Sequence, residues 1–331
     1  MRRPAYRLLA ALILGLGLVA CSPKPAQKTA SGPTTIRFAT DWKAEAEQGG
    51  FYAALAAGEY EKRGLKVTIL PGGPGSNVPQ LLATGAADLG VGSNSFVAMN
   101  IAENHVPVRA VMAVMQKDPW VLMAHPDAGI SSFADMKGHP FLLSDASLTG
   151  VWVWLKGKYG FDDSQVRKYT FNSGPFIENK GAIQQGYVTS EPYVVEKEGH
   201  FKPKVFVLSD EGYPGYADLV LAPQALIDAN PKAVQAFVEA TAAGWALYLH
   251  GDPKAADALI LKDNPEMTED ILAQARDKMR SYAIVEGQEK APIGAMSAAR
   301  WQALSDILQK AGALKAGTHV EDAYTLAFAP K

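Results

Sequence analysis

The chain is 331 residues long, 48% hydrophobic, 20% charged and 9% aromatic, enough to bury a core in each of two ordinary domains and unlike a disordered or collagenous sequence. Its 32 basic and 34 acidic residues balance to −2, so no field of Lys and Arg is present to neutralise phosphates, and no nucleic-acid partner is expected. A single cysteine rules out a disulfide framework and any cysteine-rich zinc site.

The first element is a leader. Arg2, Arg3 and Arg7 flank a charge-free run over residues 8–20, the pattern of a signal peptide and shorter than the ~20 residues that span a bilayer. It ends Leu18-Val19-Ala20-Cys21, which resembles the bacterial lipobox, where the cysteine is diacylated before cleavage. A plain secretory signal with an incidental cysteine is the other reading. Residues 22–33, with Pro23, Pro25, Ser31, Gly32 and Pro33, read as a flexible tether reaching at most ~40 Å. Two acyl chains would hold it stably. No later run has ~18 consecutive apolar residues, so the expected membrane attachment, to the inner or the outer membrane, is through the lipid alone.

From residue 35 the body alternates strand and helix. Residues 35–40 (TIRFAT) predict a strand, and Phe51, Ala54, Leu55 and Ala57 at helical spacing predict a helix over 49–63 that Gly64 stops. Residues 66–70 predict a strand and Asn77 the N-cap of a helix through Leu82. Residues 87–92 predict a strand that feeds Ser93-Asn94-Ser95 and a helix to Asn104; residues 108–115 are an apolar strand. In the middle stretch, 120–124, 140–143, 166–171 and 204–208 read as strands, 149–159 as a helix, and Ser132 as the cap of a helical turn before Gly138. Residues 217–222 (ADLVLA) lead out. Helices then dominate over 231–250, 253–261, 269–282 and 298–311, with apolar spacing such as Val234, Phe237, Val238, Thr241 and Trp245. This alternation predicts βαβ units in an α/β fold, with the chain crossing between two lobes near 115–124 and 216–223.

Several of these segments together resemble one superfamily. They are Asp41-Trp42; Gly49-Gly50-Phe51-Tyr52-Ala53-Ala54; the run Gly58 to Val67; the run Gln80 to Gly92; Ser131 to Gly138; and Thr189-Ser190-Glu191-Pro192-Tyr193. In this order and spacing, over about residues 34 to 290, they are similar to the type 2 solute-binding proteins related to thiamine-pyrimidine synthases and to sulfonate and taurine receptors. The resemblance implies a two-lobe periplasmic-binding-protein type 2 fold, with mixed sheets, flanking helices and a double-crossover hinge. Lobe I would comprise 34–120 and 221–331, and lobe II 121–220. It also implies an extracytoplasmic, monomeric receptor that closes around a small molecule and hands it to the permease and ATPase of an ABC importer, with no cofactor or metal.

In open α/β sheets ligands lie beyond the carboxyl ends of strands, at helix N-termini. That geometry nominates Asp41 and Trp42, Gly73 and Asn77 in the Gly72-to-Asn77 loop, Ser93 and Asn94, Asp145 and Ser147, and Glu191. Each has a structural alternative: a tight turn for the glycine loop, helix capping for Ser93, Asn94 and Asp145, a solvated charge for Glu191, and core packing for Trp42. The loop lacks the Gly-Lys-Ser/Thr ending of a nucleotide-binding P-loop. Residues 123–220 hold fifteen of the thirty aromatic residues. Trp152, Phe176, Tyr187, Tyr193, Tyr213 and Tyr216, with Trp42, Phe51 and Trp120, suggest an aromatic-walled cleft, against core packing ring by ring.

The polar candidates Asp41, Asn94, Asp145 and Glu191 include no Arg or Lys, which an anionic sulfonate or nitrate would favour. Carboxylates suit an amino-bearing ring such as an aminopyrimidine, a thiamine-precursor-like heterocycle. A receptor for taurine, alkanesulfonate or nitrate is the alternative, with backbone amides holding the anion. A ligand-sensing lipoprotein and an extracytoplasmic enzyme are the readings from other classes. No Gly-x-Ser-x-Gly elbow or His-Glu-x-x-His motif occurs, and the six histidines are scattered, so no catalytic residues are nominated. Synthases of the superfamily use a cysteine-rich iron motif and a cleft histidine. Here Gln48 stands before Gly49-Gly50, where many relatives have histidine, and it is carried as a ligand contact.

Overall fold

The computed structural model describes residues 32–287 and 291–329; the leader, Cys21 and the tether up to residue 31 lie outside them. In chain order the strands are β1 Thr34–Ala39, β2 Leu65–Leu70, β3 Leu89–Asn94, β4 Val108–Met115, β5 Trp120–Ala124, β6 Phe141–Leu143, β7 Val166–Lys168, β8 Ile183–Tyr187, β9 Lys204–Val207 and β10 Ala217–Pro223. The α-helices are α1 Gly49–Ala56, α2 Val78–Ala83, α3 Ser95–Glu103, α4 Val151–Tyr159, α5 Gly174–Glu178, α6 Glu191–Gly199, α7 Gln224–Ala229, α8 Pro231–His250, α9 Lys254–Asp263, α10 Glu269–Ser281 and α11 Ala298–Lys310. No described helix is long and apolar enough to cross a membrane.

Two five-stranded mixed sheets result, in the orders β2-β1-β3-β10-β4 and β7-β6-β8-β5-β9. In the first, β1 pairs in parallel with β2 and β3, and β10 runs antiparallel to β3 and β4. The second repeats the plan, with β6 parallel to β7 and β8, and β5 antiparallel to β8 and β9. Burial follows position in the sheet. The edge strand β2 alternates buried and exposed residues, whereas β5, deep in its sheet, is buried throughout. The chain passes between the sheets over 116–119 and 208–216, so the lobe boundary expected at 220 runs through β10, which bonds to the first sheet along its length.

The helix expected over 49–63 ends at Ala56. Gly58, at φ +67°, turns the chain, and a 3₁₀ turn over Glu61–Arg63 ends on Gly64 in the left-handed region. Between them Tyr60 enters the core, its hydroxyl 3.0 Å from that of Thr241 on α8. Gly49 and Gly50 allow α1 to lie directly on α8: a Cβ at Gly50 would sit 2.1 Å from the Trp245 ring, and one at Gly244 would sit 2.2 Å from the Gly50 carbonyl oxygen. The strand expected over 166–171 stops at Lys168. Strand β8 and helices α5, α6 and α7 are not among the expected elements.

Candidate functional site

The site grows from the carboxyl end of β1. Thr40, buried beyond it, donates from Oγ1 to the Trp42 carbonyl oxygen (2.8 Å) and accepts the Gly72 amide (3.0 Å), tying the loop after β2 to the turn at 40–42. A Cβ at Gly72 would lie 2.3 Å from the Thr40 carbonyl oxygen, so this close approach needs glycine. The turn leaves Asp41 half-buried, its carboxylate accepting the hydroxyl of Ser93 from the end of β3. Burial raises the Asp41 pKa against the pull of that bond. Next, residues 45–48 carry Glu45, Glu47 and Gln48 in front of α1.

Carboxylates from both sheets converge here. Glu47 is buried and accepts the hydroxyl of Thr189, which follows β8 in the second sheet. Glu191, the first residue of α6, accepts the Tyr187 amide at 2.7 Å. Burial, with the charge of Glu47 adding to it, lifts the Glu191 carboxyl to about 7 in spite of that amide and the Tyr169 hydroxyl. Burial likewise pushes Glu45 well up, and Glu47, Glu191 and Asp41 push it further; Lys43 opposes. On β10, Asp218 is only 5% exposed, and its Oδ2 finds no hydrogen-bond partner among the described residues. Burial, then Asp41 and Glu47, drive its pKa well above the carboxylate range. Asp118, buried in the first passage between the sheets, accepts the Trp120 amide (3.0 Å) and rises to about 7 through burial, with Arg300 opposing. The Tyr187 hydroxyl is held protonated by burial and by four of these acids, Asp118, Asp41, Asp218 and Glu191. No group of three or more His, Cys, Asp or Glu among the described residues is arranged to hold a metal ion.

At the edge of the cluster Trp42 meets Phe171 from beyond β7, ring centroids 4.6 Å apart. Phe171 is 45% exposed and sits at φ +60°, an unfavourable backbone for a bulky residue.

Asp41, Ser93, Tyr187 and Glu191 are thus brought together. Gln48 sits beside Glu47, Trp42 at the rim, and Trp120 opposite Tyr187 in the β5–β8 register. Asn94 borders the group but caps α3, its Oδ1 accepting the Phe96 and Val97 amides at 3.1 and 3.3 Å.

The other nominated residues lie apart. Asp145 is exposed and pairs with Lys168 at 2.9 Å; Ser147 contacts Ser144 at 3.2 Å. Asn77 is exposed and caps α2 through the Gln80 amide, and Gly73 belongs to a local turn closed on Ser76. Several rings expected to wall the cleft are core instead. Phe51 packs on Phe38 and Trp245. Trp152 packs on Phe141 and donates its Nε1–H to Asp163. Tyr216 lies under Arg300 and accepts the Ser297 amide. Phe176 and Tyr213 are buried among Phe201 and Trp154, and Tyr193 donates to Asp270. Glu45, Glu47, Asp118, Thr189, Asp218 and Phe171 join the site without having been nominated. The readable signal for Asp218 was an acid inside the apolar run ADLVLA, where a charge is not left without reason.

A family model described as NMT1/THI5 like matches residues 45–256. The chain is 23% identical to the riboflavin-binding protein RibY of Chloroflexus aurantiacus, over 96% of each chain. It is 22% identical to the formylaminopyrimidine-binding protein of Halalkalibacterium halodurans, over 97% of this chain and 98% of that one. Its fold matches the periplasmic aliphatic sulphonate binding protein SsuA of Escherichia coli, with a TM-score of 0.67 at 15% identity, covering 89% of this chain and 92% of that one.

Proposed function

The chain belongs to the NMT1/THI5-like family, and from that premise we propose that it is the extracytoplasmic solute-binding component of an ABC importer, capturing an amino-bearing nitrogen heterocycle between its two sheets. The observation that carries this reading is the convergence of acceptor-rich side chains from both sheets, with Thr189 and Glu47 joined across the gap. Carboxylates accept hydrogen bonds from ring amino groups and repel sulfonates and nitrate. The cations near the cluster are engaged elsewhere: Lys43 pairs with Glu266 at 2.5 Å, and Arg300 donates to backbone carbonyls of the passages between the sheets. Riboflavin and a formylaminopyrimidine, named for the two relatives, are both nitrogen heterocycles.

In this reading the lobe built on the first sheet, residues 34–115 with 217–329, and the lobe built on the second, residues 120–207, close on the ligand. Diacylated Cys21 leashes the body to a membrane, permease and ATPase receive the ligand from a monomeric receptor in the periplasm, and no bond is made or broken. A thermal-shift screen of aminopyrimidines, flavin fragments, taurine, alkanesulfonates and nitrate tests it. A cognate compound at 100 times its Kd should stabilise the protein by ~2.7 kcal/mol. If only sulfonates or nitrate shift the melt, the ligand class is wrong; if nothing does, the receptor reading fails with it.

A further inference from the structure

Asp218 stands out from the rest of the acidic cluster. It occupies β10 between Ala217, paired with Asn94, and Leu219, paired with Gly92, so it is embedded in the first sheet next to the second passage of the chain. Its backbone is at φ +52°, a left-handed conformation inside a strand, and Asp218 has no partner in the register with β3 or β4. Its Oδ2 is out of contact with water and without a partner among the described residues, and the acids that raise its pKa are Asp41 and Glu47. Gln48, next to Glu47 in sequence and 3% exposed, also has an unpartnered side-chain oxygen, Oε1. Buried acceptors are normally matched by donors, because an unmatched one carries its full desolvation penalty. An unmatched acceptor inside an acidic cluster describes a site whose donor comes from outside the chain.

We propose that Asp218 anchors a planar, positively charged nitrogen heterocycle, its free Oδ2 accepting an N–H from the charged ring. This rests on the solute-binding reading above and deepens it by assigning the ligand a charge state and a principal contact. Burial and mutual proximity penalise the charged forms of Asp41, Glu45, Glu47, Glu191 and Asp218, so the ligand-free cluster holds protons, and a neutral ring would leave it so. A cationic ring supplies the missing counter-charge, so that Asp218 releases its proton on binding and its orphaned oxygen becomes the acceptor of a charge-assisted hydrogen bond.

Two rings of nearly the same shape separate the possibilities. 4-Aminopyridine is protonated on its ring nitrogen at neutral pH, and 4-aminopyrimidine is neutral there. Calorimetric titration of both into the full chain at pH 7.5 should give at least tenfold tighter binding of the aminopyridinium. Asp218→Asn, which keeps the shape and removes the group able to ionise against a cation, should bring the ratio to within threefold while the melting curve shows a folded protein. Asp306→Asn, on the exposed face of α11, should leave the ratio as in the wild type. Equal or reversed affinities in the wild type overturn the proposal, as does a preference that survives in folded Asp218→Asn. If Asp218→Asn does not fold, the wild-type ratio still decides the charge preference. Failure of both rings to bind also overturns the anchor assignment. The receptor reading is then judged separately by the wider screen, where a shift with any neutral heterocycle would keep it.

Discussion

Glu191 and Asp118, each with its carboxyl lifted to about 7, make the cluster a set of acids that the folded protein protonates more readily than the unfolded chain does. Burial is the leading cause at both, and Asp41, Glu45, Glu47 and Asp218 are raised in the same direction. The native state therefore binds more protons than the unfolded state from about pH 4.5 up to about pH 7, and stability falls as pH rises through that window. Acids held low by partners, such as Asp88 beside Arg37, act the other way but mostly below pH 4. The ligand-free protein should accordingly melt several degrees higher at pH 5 than at pH 7.5, and Glu191→Gln should narrow the difference. A melting temperature that is flat or climbs over this range would show that the acids are hydrated. At this scale the sequence was partly legible. Asp41 and Glu191 could be nominated because they follow a strand or open a helix, where ligands meet open sheets. Asp118 and Asp218 could not, since what matters is that the fold removes them from water, and that is decided by segments far away in the chain. The rings were misleading for a related reason: an aromatic near a strand end packs as readily inward as toward a cleft, and Phe51, Trp152 and Tyr216 pack inward.

Helix α1 shows how an element depends on its partner. Its sequence opens Gly49-Gly50, poor helix formers on propensity alone, and replacing a helical glycine with alanine ordinarily stabilises by roughly 0.5–1 kcal/mol. Here the expected sign is reversed. A Cβ at Gly50 would lie 2.1 Å from the Trp245 ring, and Trp245 is packed edge-on against Phe51 and Tyr248 as well. Gly50→Ala should therefore destabilise by about 1–3 kcal/mol in urea unfolding, whereas Gly157→Ala, within α4 and 3.8 Å from its nearest neighbour, should not. Stabilisation by Gly50→Ala would mean that α1 and α8 lie further apart. Most strands were readable because their apolar runs are short and bounded by turn residues. Strand β8, Ile183–Tyr187, was not, because its centre is Gln184-Gln185. Both glutamines are buried: Gln184 donates to Ser173 and Gln185 accepts the Ser144 amide, so the strand is paired by partners that a hydrophobic pattern cannot reveal.

The two sheets are joined unevenly. Where the chain passes between them, Arg300 of α11 donates to the carbonyls of Gln116, Pro214 and Gly215 at 2.5, 2.7 and 2.8 Å, with its guanidinium 3.9 Å over the Tyr216 ring, so one side chain grips both passages. Away from the passages the links are thinner: Thr189 to Glu47, Gln274 to the Thr189 carbonyl, and Tyr193 and Lys197 to Asp270. Exposed ion pairs such as Lys197–Asp270 contribute ~0–1 kcal/mol, whereas three bonds from one guanidinium, ~1.5–3 kcal/mol each, converge at the passages. Opening about the passages would break the scattered single contacts and keep the three gathered on Arg300, which is the asymmetry a hinged receptor requires. Combining Thr189→Val with Asp270→Asn should raise the radius of gyration in solution scattering and weaken ligand binding by the fraction of molecules shifted open, with the melting temperature falling little. Arg300→Met should do the reverse in emphasis, lowering the melting temperature by more than the double variant does. If the double variant melts as early as Arg300→Met and its radius is unchanged, the cleft-side contacts belong to one continuous core and the two sheets do not move against each other.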